Sequence, residues 1–127
     1  MEGYSVKIRY ASKDLSAKER IQLKDTSNAI SLDDLTTQEG NITIEYDYHA
    51  VLDVHNEKSD SKDYTKIVVV DKGGTKYVTG SESFGTALSD IVDEMVDAGE
   101  GDNITVEVYR KESKNYKGKQ FITCSIV

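Results

Sequence analysis

Lys111, Lys114, Lys117 and Lys119 crowd around Tyr116 in the stretch ITVEVYRKESKNYKGKQFITCSI, residues 104–126, with Arg110 just ahead of them. Ammonium groups neutralise phosphates, and rings set among them stack on unpaired bases. The combination is the chemistry of a surface that holds single-stranded nucleic acid. Lysines at the tip of a hairpin also have a plainer use, which is to keep a sheet edge soluble.

Two strands must position this cluster. In the first, Ile104, Val106 and Val108 alternate with Thr105, Glu107 and Tyr109; in the second, Ile122, Cys124 and Ile126 alternate with Phe121, Thr123 and Ser125. Period-2 alternation of this kind marks half-buried strands, and Ser113, Asn115 and Gly118 give the segment between them turn chemistry. The prediction is a hairpin with a long basic tip. Its inward phase leaves Tyr109 and Phe121 facing away from the core, beside the lysines.

Composition bounds what such a hairpin can belong to. The 127 residues suit one domain that buries roughly two thirds of its unfolded surface. Cys124 is the single cysteine and falls on an inward strand phase, so it reads as a small buried hydrophobe in a reducing compartment. No N-terminal apolar run has the length of a signal peptide or membrane span, so a soluble intracellular protein is expected. The net charge of −7 argues against a general coat for duplex DNA. Residues 104–127, however, hold five of the 16 basic and only two of the 23 acidic side chains, net +3, and leave −10 to the rest. The overall sign hides a local patch of opposite charge.

Along the chain, Tyr4 to Tyr10 alternates as a short strand, and Arg20 to Lys24 reads as a second, weaker one. Residues 31–35 make at most a turn of helix. Residues 1–40 are therefore expected to form an N-terminal extension with one or two short strands, laid on a main domain of residues 41–127. That domain opens with a long strand, Asn41 to Val54, whose inward phase holds Ile44, Tyr46, Tyr48, Ala50, Leu52 and Val54. Such a length implies a bend, with a bulge somewhere along the strand; a bulge between Tyr46 and Ala50 would switch one of the tyrosines or His49 to the other face. A polar loop, His55–Tyr64, follows. Thr65–Asp71 and Thr75–Thr79 then form strands around the turn Lys72-Gly73-Gly74. The single expected helix starts at Ser81, carries Phe84, Leu88, Ile91, Val92 and Met95 on one stripe, and ends at Gly99.

From residue 41 the order is strand, strand, strand, helix, strand, strand. This is the order of the OB type, so the expected fold is mainly β with one helix, a five-stranded Greek-key barrel. In that fold the ligand crosses strands 2 and 3, and the loops here numbered 55–64 and 111–119 fold over it. The other arrangement the order allows is an antiparallel sheet with the helix across one face and no cleft.

The segments KIVVVDKGGTKYVTGSESFGTALSDIVDEM and VEVYRKESKNYKGKQFITCSIV resemble the small single-stranded DNA-binding proteins of tailed phages that infect Gram-positive bacteria. The resemblance covers about the C-terminal half. It implies a protein that holds transiently exposed DNA during phage replication or recombination, in the cytoplasm of the infected host. Phage or host replication proteins are its possible partners. The sequence runs to Val127 in the last strand, without the acidic tail by which better-known bacterial relatives recruit partners, so recruitment by that route is not expected.

The residue set expected to contact DNA follows. Arg110, Lys111, Lys114, Lys117 and Lys119 meet phosphates, and Lys66, Lys72 and Lys76 extend the track across the sheet. Tyr77, Tyr109, Tyr116 and Phe121 supply stacking rings, with Tyr64 as an additional one. Tyr77 equally suits cross-strand packing. No catalytic residue, metal site or cofactor is expected: His49 and His55 are the only histidines, and no cluster has ligand spacing. The rival reading is an acidic protein-binding inhibitor that mimics DNA and acts on a host nucleic-acid enzyme, presenting Asp33, Asp34, Asp90, Asp93, Glu94 and Asp97.

Overall fold

The computed structural model describes residues 4–58, 62–113, 118 and 120–127. Seven strands and three helices follow one another as β1 (Tyr4–Ala11), α1 (Ala17–Lys24), β2 (Ile30–Ser31), α2 (Leu32–Glu39), β3 (Ile42–Asn56), β4 (Asp63–Asp71), β5 (Lys76–Thr79), α3 (Glu82–Asp97), β6 (Thr105–Glu112) and β7 (Gln120–Ile126). The chain divides into two compact units. The first holds the residues up to Ile30 together with Tyr48–Gly80, the second Ser31–Asp47 together with Ser81–Val127. The long strand β3 contributes its C-terminal part to the first and its N-terminal part to the second.

In the first unit β3 pairs with β4, and β4 with β5. The β4–β5 ladder runs from Ile67↔Thr79 to Val70↔Lys76. All of Ile67, Val68, Val69 and Val70 are buried, which is what an unbroken β-branched run does when both sheet faces are covered. One of those faces is accounted for within the unit. Leu23 of α1 packs in a cluster with Ala50, Leu52, Val54, Val68 and Val70, and Val6, Ile8, Ala11 and Leu15 lie against it. The cluster holds β1, α1, β3 and β4 together by apolar burial. β1 pairs antiparallel with β3 from Tyr4↔Asn56 to Ala11↔Ala50, and the register shifts between Ile8 and Tyr10. The extra residue, Arg9, lies on the bulged strand, and its guanidinium clasps the Asp53 carboxylate with two nitrogens.

In the second unit β6 pairs with β3 from Ile42↔Val108 to Glu45↔Thr105, and with β7 from Val106↔Ile126 to Glu112↔Gln120. α3 supplies Phe84, Leu88 and Val92 as its buried face. Its N-terminus is fixed by Ser81, whose hydroxyl accepts from the Phe84 amide and donates to the Ile122 carbonyl of β7. The C-terminus closes with Gly99 at φ 76°, where the Gly99 and Glu100 amides return to the carbonyls of Val96 and Met95. Only a residue without a Cβ adopts that left-handed conformation at no steric cost.

Several expectations need correction. Among the described residues there are three helices, not one. Arg20 to Lys24 is the end of α1 rather than a strand, because Ser16 and Glu19 form a reciprocal capping box that starts a helix at Ala17. The residues read as a single turn belong to the two-turn helix α2, which Ser31 caps through the Asp34 amide while Asp33 and Asp34 sit in the first turn. In the β1–β3 ladder the extra residue is on β1, while along β3 the alternation breaks at His49 and Ala50, which are both buried, so His49 leaves the outward phase within the stretch from Tyr46 to Ala50. From residue 42 the succession is still strand, strand, strand, helix, strand, strand, with which an OB-type topology is compatible.

Candidate nucleic-acid interface

The β6–β7 ladder fixes which hairpin residues stand together. Lys111 lies directly opposite Phe121, and Tyr109 opposite Thr123. Paired residues share a sheet face, so Tyr109, Lys111 and Phe121 form one contiguous group on the side opposite Val106, Val108, Ile122 and Cys124, all four of which are buried. Lys111 is exposed, and the two rings are partly exposed. The Tyr109 hydroxyl lies 2.7 Å from the Ser125 hydroxyl, which orients the ring along the hairpin. One cation beside two rings can engage a phosphate and its neighbouring bases together. Lys114, Tyr116, Lys117 and Lys119 lie outside the described residues.

Arg110 falls on the opposite phase. Its Nη2 donates to the Asp33 carbonyl at 2.7 Å and its Nε to Thr36 Oγ1 at 3.1 Å, while Thr36 is itself buried and donates to the Leu32 carbonyl. The guanidinium thus ties α2 to β6. Substituting Arg110 by Ala is expected to cost about 1–3 kcal/mol, since charged hydrogen bonds are lost at a part-buried site. Urea unfolding measures it; an unchanged midpoint would show that the tie carries no stability. Lys in its place should not restore the loss, because a single ammonium lacks the planar fork that reaches both acceptors.

In the first unit the cations expected on the sheet have assorted roles. Lys66 lies 5.8 Å above the Tyr64 ring, and Tyr64 packs against the apolar cluster. The Lys76 ammonium donates to the carbonyls of Gln22 and Asp25, at 2.7 and 2.8 Å, and so caps the C-terminal end of α1. Lys72 sits exposed in the β4–β5 turn, which Asp71 organises by accepting from the amides of Gly73 and Thr75. Tyr77 pairs with Val69, half-buried, its hydroxyl 3.5 Å from Asp71 Oδ2. Burial, with the Asp71 charge adding to it, raises its pKa, so the phenol stays neutral. Tyr77 thus holds the paired, half-buried position of a cross-strand residue. These first-unit groups and the hairpin group belong to separate units.

The sequence reading missed two features. Ser5, Lys7, Arg9, Asp53, His55 and Thr65 line a groove of about 590 Å³ between β1, β3 and β4. At its rim His55 bridges two carboxylates, Nδ1 to Asp63 at 2.7 Å and Nε2 to Glu57 at 2.6 Å, and Lys62 lies 3.4 Å from Glu57. The hydrogen bond to Asp63, then that to Glu57, raises the His55 pKa above its ordinary 6.5. A folded-state pKa above the unfolded one means that the bridge contributes its stability fully below pH 6.5 and loses it as pH rises through the folded value. Urea midpoints taken across this window should fall with rising pH in the wild type, and His55→Gln should flatten that part of the profile. An equal slope in both would remove His55 as its source. The second missed feature is the run of exposed cations in α1, Lys18, Arg20 and Lys24.

Cys124 is buried, and burial pushes its thiol pKa up to about 12, far from a working nucleophile. No group of three or more His, Cys, Asp or Glu among the described residues is placed to hold a metal, and none of their helices is long and apolar enough to cross a membrane.

A mainly β chain with a cationic, ring-bearing hairpin is the type of scaffold on which single strands are held. Residues 4–127 match the family model described as Phage Single-stranded DNA-binding protein, and the chain belongs to that family. Its family thus gives single-stranded DNA as the ligand in general terms. Neither the curated proteins nor the solved structures provide a match.

Proposed function

We propose that the protein covers single-stranded DNA largely without sequence preference, during phage DNA replication or recombination in the cytoplasm of the infected bacterium. The observation that carries this reading is the grouping of Tyr109, Lys111 and Phe121 on one face of the β6–β7 hairpin, in a chain of the phage single-stranded DNA-binding family. Rings stack on any base and ammonium groups meet any phosphate, so neither contact reads sequence. Lys114, Tyr116, Lys117 and Lys119 continue the same composition along the hairpin. Lys66 and Lys72, with Tyr64, supply cations and a ring from the first unit, on an OB-type arrangement of the strands. Arg110, Lys76 and Tyr77 support the interface by holding its elements.

The exposed acids Asp90, Asp93, Glu94 and Asp97 on α3 suit the repulsion of DNA from the rest of the surface. Family membership favours that role over the DNA-mimic one, in which the same acids would bind a host enzyme. Competition between labelled oligo-dT and unlabelled oligo-dA, oligo-dC and mixed-sequence strands tests the absence of preference. Affinities within about tenfold of one another agree with stacking alone; discrimination of about a thousandfold would require base-edge readout and end this reading.

A further inference from the structure

We propose that the outward side of α1 is a second contact surface for the single-strand backbone, made by Lys18, Arg20 and Lys24; the inference rests on the single-strand-binding reading. Val68, Val70 and Lys76 lie on one face of the β4–β5 ladder, where Val70 is paired with Lys76 and Val68 with Val78. That face is roofed by α1: Leu23 is packed among Val68, Val70, Leu52 and Val54, and the Lys76 ammonium is engaged with the last carbonyls of the helix. A nucleic-acid strand crossing this side of the unit finds the Lys76 ammonium already engaged by helix carbonyls. It meets α1.

The helix is built for such a meeting. With Leu23 turned inward, steps of about 100° per residue put Lys24, Ile21 and Lys18 in succession around the far side, with Arg20 next to Lys24 one turn earlier. All four are exposed, Ile21 at 70%. Its sibling charges are committed elsewhere: Lys13 is 3.8 Å from Glu19 and 4.1 Å above the Tyr48 ring, and Glu19 closes the capping box. Lys18, Arg20 and Lys24 make no ion pair among the described residues. Residues 4–24 hold six basic side chains against two acidic ones, in a chain of net charge −7. Unpaired cations concentrated against the overall sign fit a polyanion, and an exposed isoleucine among them gives a base an apolar surface to rest on.

The test is the salt dependence of oligo-dT binding in the full chain, comparing the wild type with Lys18→Gln, Arg20→Gln, Lys24→Gln. Gln keeps helix propensity close to that of Lys and Arg, and circular dichroism checks that α1 survives. Three lost phosphate contacts should flatten the slope of log affinity against log salt by about 2, and lower affinity at low salt by about tenfold. The conservative pair Lys18→Arg, Lys24→Arg should keep the wild-type slope. An unchanged slope in the triple variant overturns the inference, as does an equal loss in the conservative pair, which would point to helix packing instead of charge. Failure of the wild type itself to bind oligo-dT is the distinct result that would remove the underlying reading.

Discussion

Substituting Tyr109, Lys111 and Phe121 together by alanine is expected to lower affinity for single-stranded DNA by about a hundredfold or more. The three stand on one face of the β6–β7 hairpin, Lys111 directly opposite Phe121 and Tyr109 two pairs further along. Each stacked base contributes about 1–3 kcal/mol, so loss of two rings removes about 2–6 kcal/mol, and each 1.4 kcal/mol is roughly tenfold. The lysine adds a phosphate contact that matters most at low salt. Because the rings are only partly exposed, the variant needs a melting curve beside its binding isotherm. A folded variant that binds within about threefold of wild type would move the interface away from this face.

The second large effect is on stability. Phe84 is the largest of the fully buried side chains, at 0% exposure, and lies on the stripe that α3 presents with Leu88 and Val92. Phe84→Ala removes the ring and leaves a cavity, at a cost of about 3–5 kcal/mol. Since small domains are stable by about 5–15 kcal/mol, the variant should sit near the edge of folding. A urea midpoint close to that of the wild type would mean that the site collapses around the smaller side chain. The same variant with its capping Ser81 intact separates loss of packing from loss of the helix start.

How far these elements were legible depends on how local their causes are. The stripe of α3, the β4–β5 turn and the β6–β7 alternation are written within a dozen residues each, and periodicity finds them. α1 is different. It buries only Leu23, so no stripe repeats, and its Arg-Ile-Gln-Leu-Lys end looks alternating. Its signal was the pair Ser16 and Glu19, three apart, ahead of the helix. α2 likewise announces itself by Ser31 followed by Asp33 and Asp34, and not by hydrophobic spacing.

The cations show the same limit from another side. Sequence places Arg110 among lysines, yet its partners Asp33 and Thr36 lie 77 and 74 positions away. Lys76 reaches carbonyls 54 and 51 positions distant. Tertiary partners of that kind give a residue that looks like a phosphate ligand a structural role that its neighbours in sequence do not reveal. His55 is a milder case: Glu57 and Asp63 are near in sequence, but only the return of the chain from β3 to β4 brings Asp63 to its second nitrogen. Residues 4–24, with six basic and two acidic side chains, are a basic stretch that the −10 of residues 1–103 as a whole conceals.

Fluorescence anisotropy of a labelled oligo-dT, titrated with the full chain at low and at high salt with duplex DNA of equal length as competitor, tests the central claim most directly. The account predicts tight binding at low salt, a marked loss at high salt, and poor competition by the duplex, whose bases are already stacked and out of reach of the hairpin rings. Absence of binding at low salt, where phosphate contacts are strongest, or displacement of the single strand by duplex at equal concentration, would contradict it.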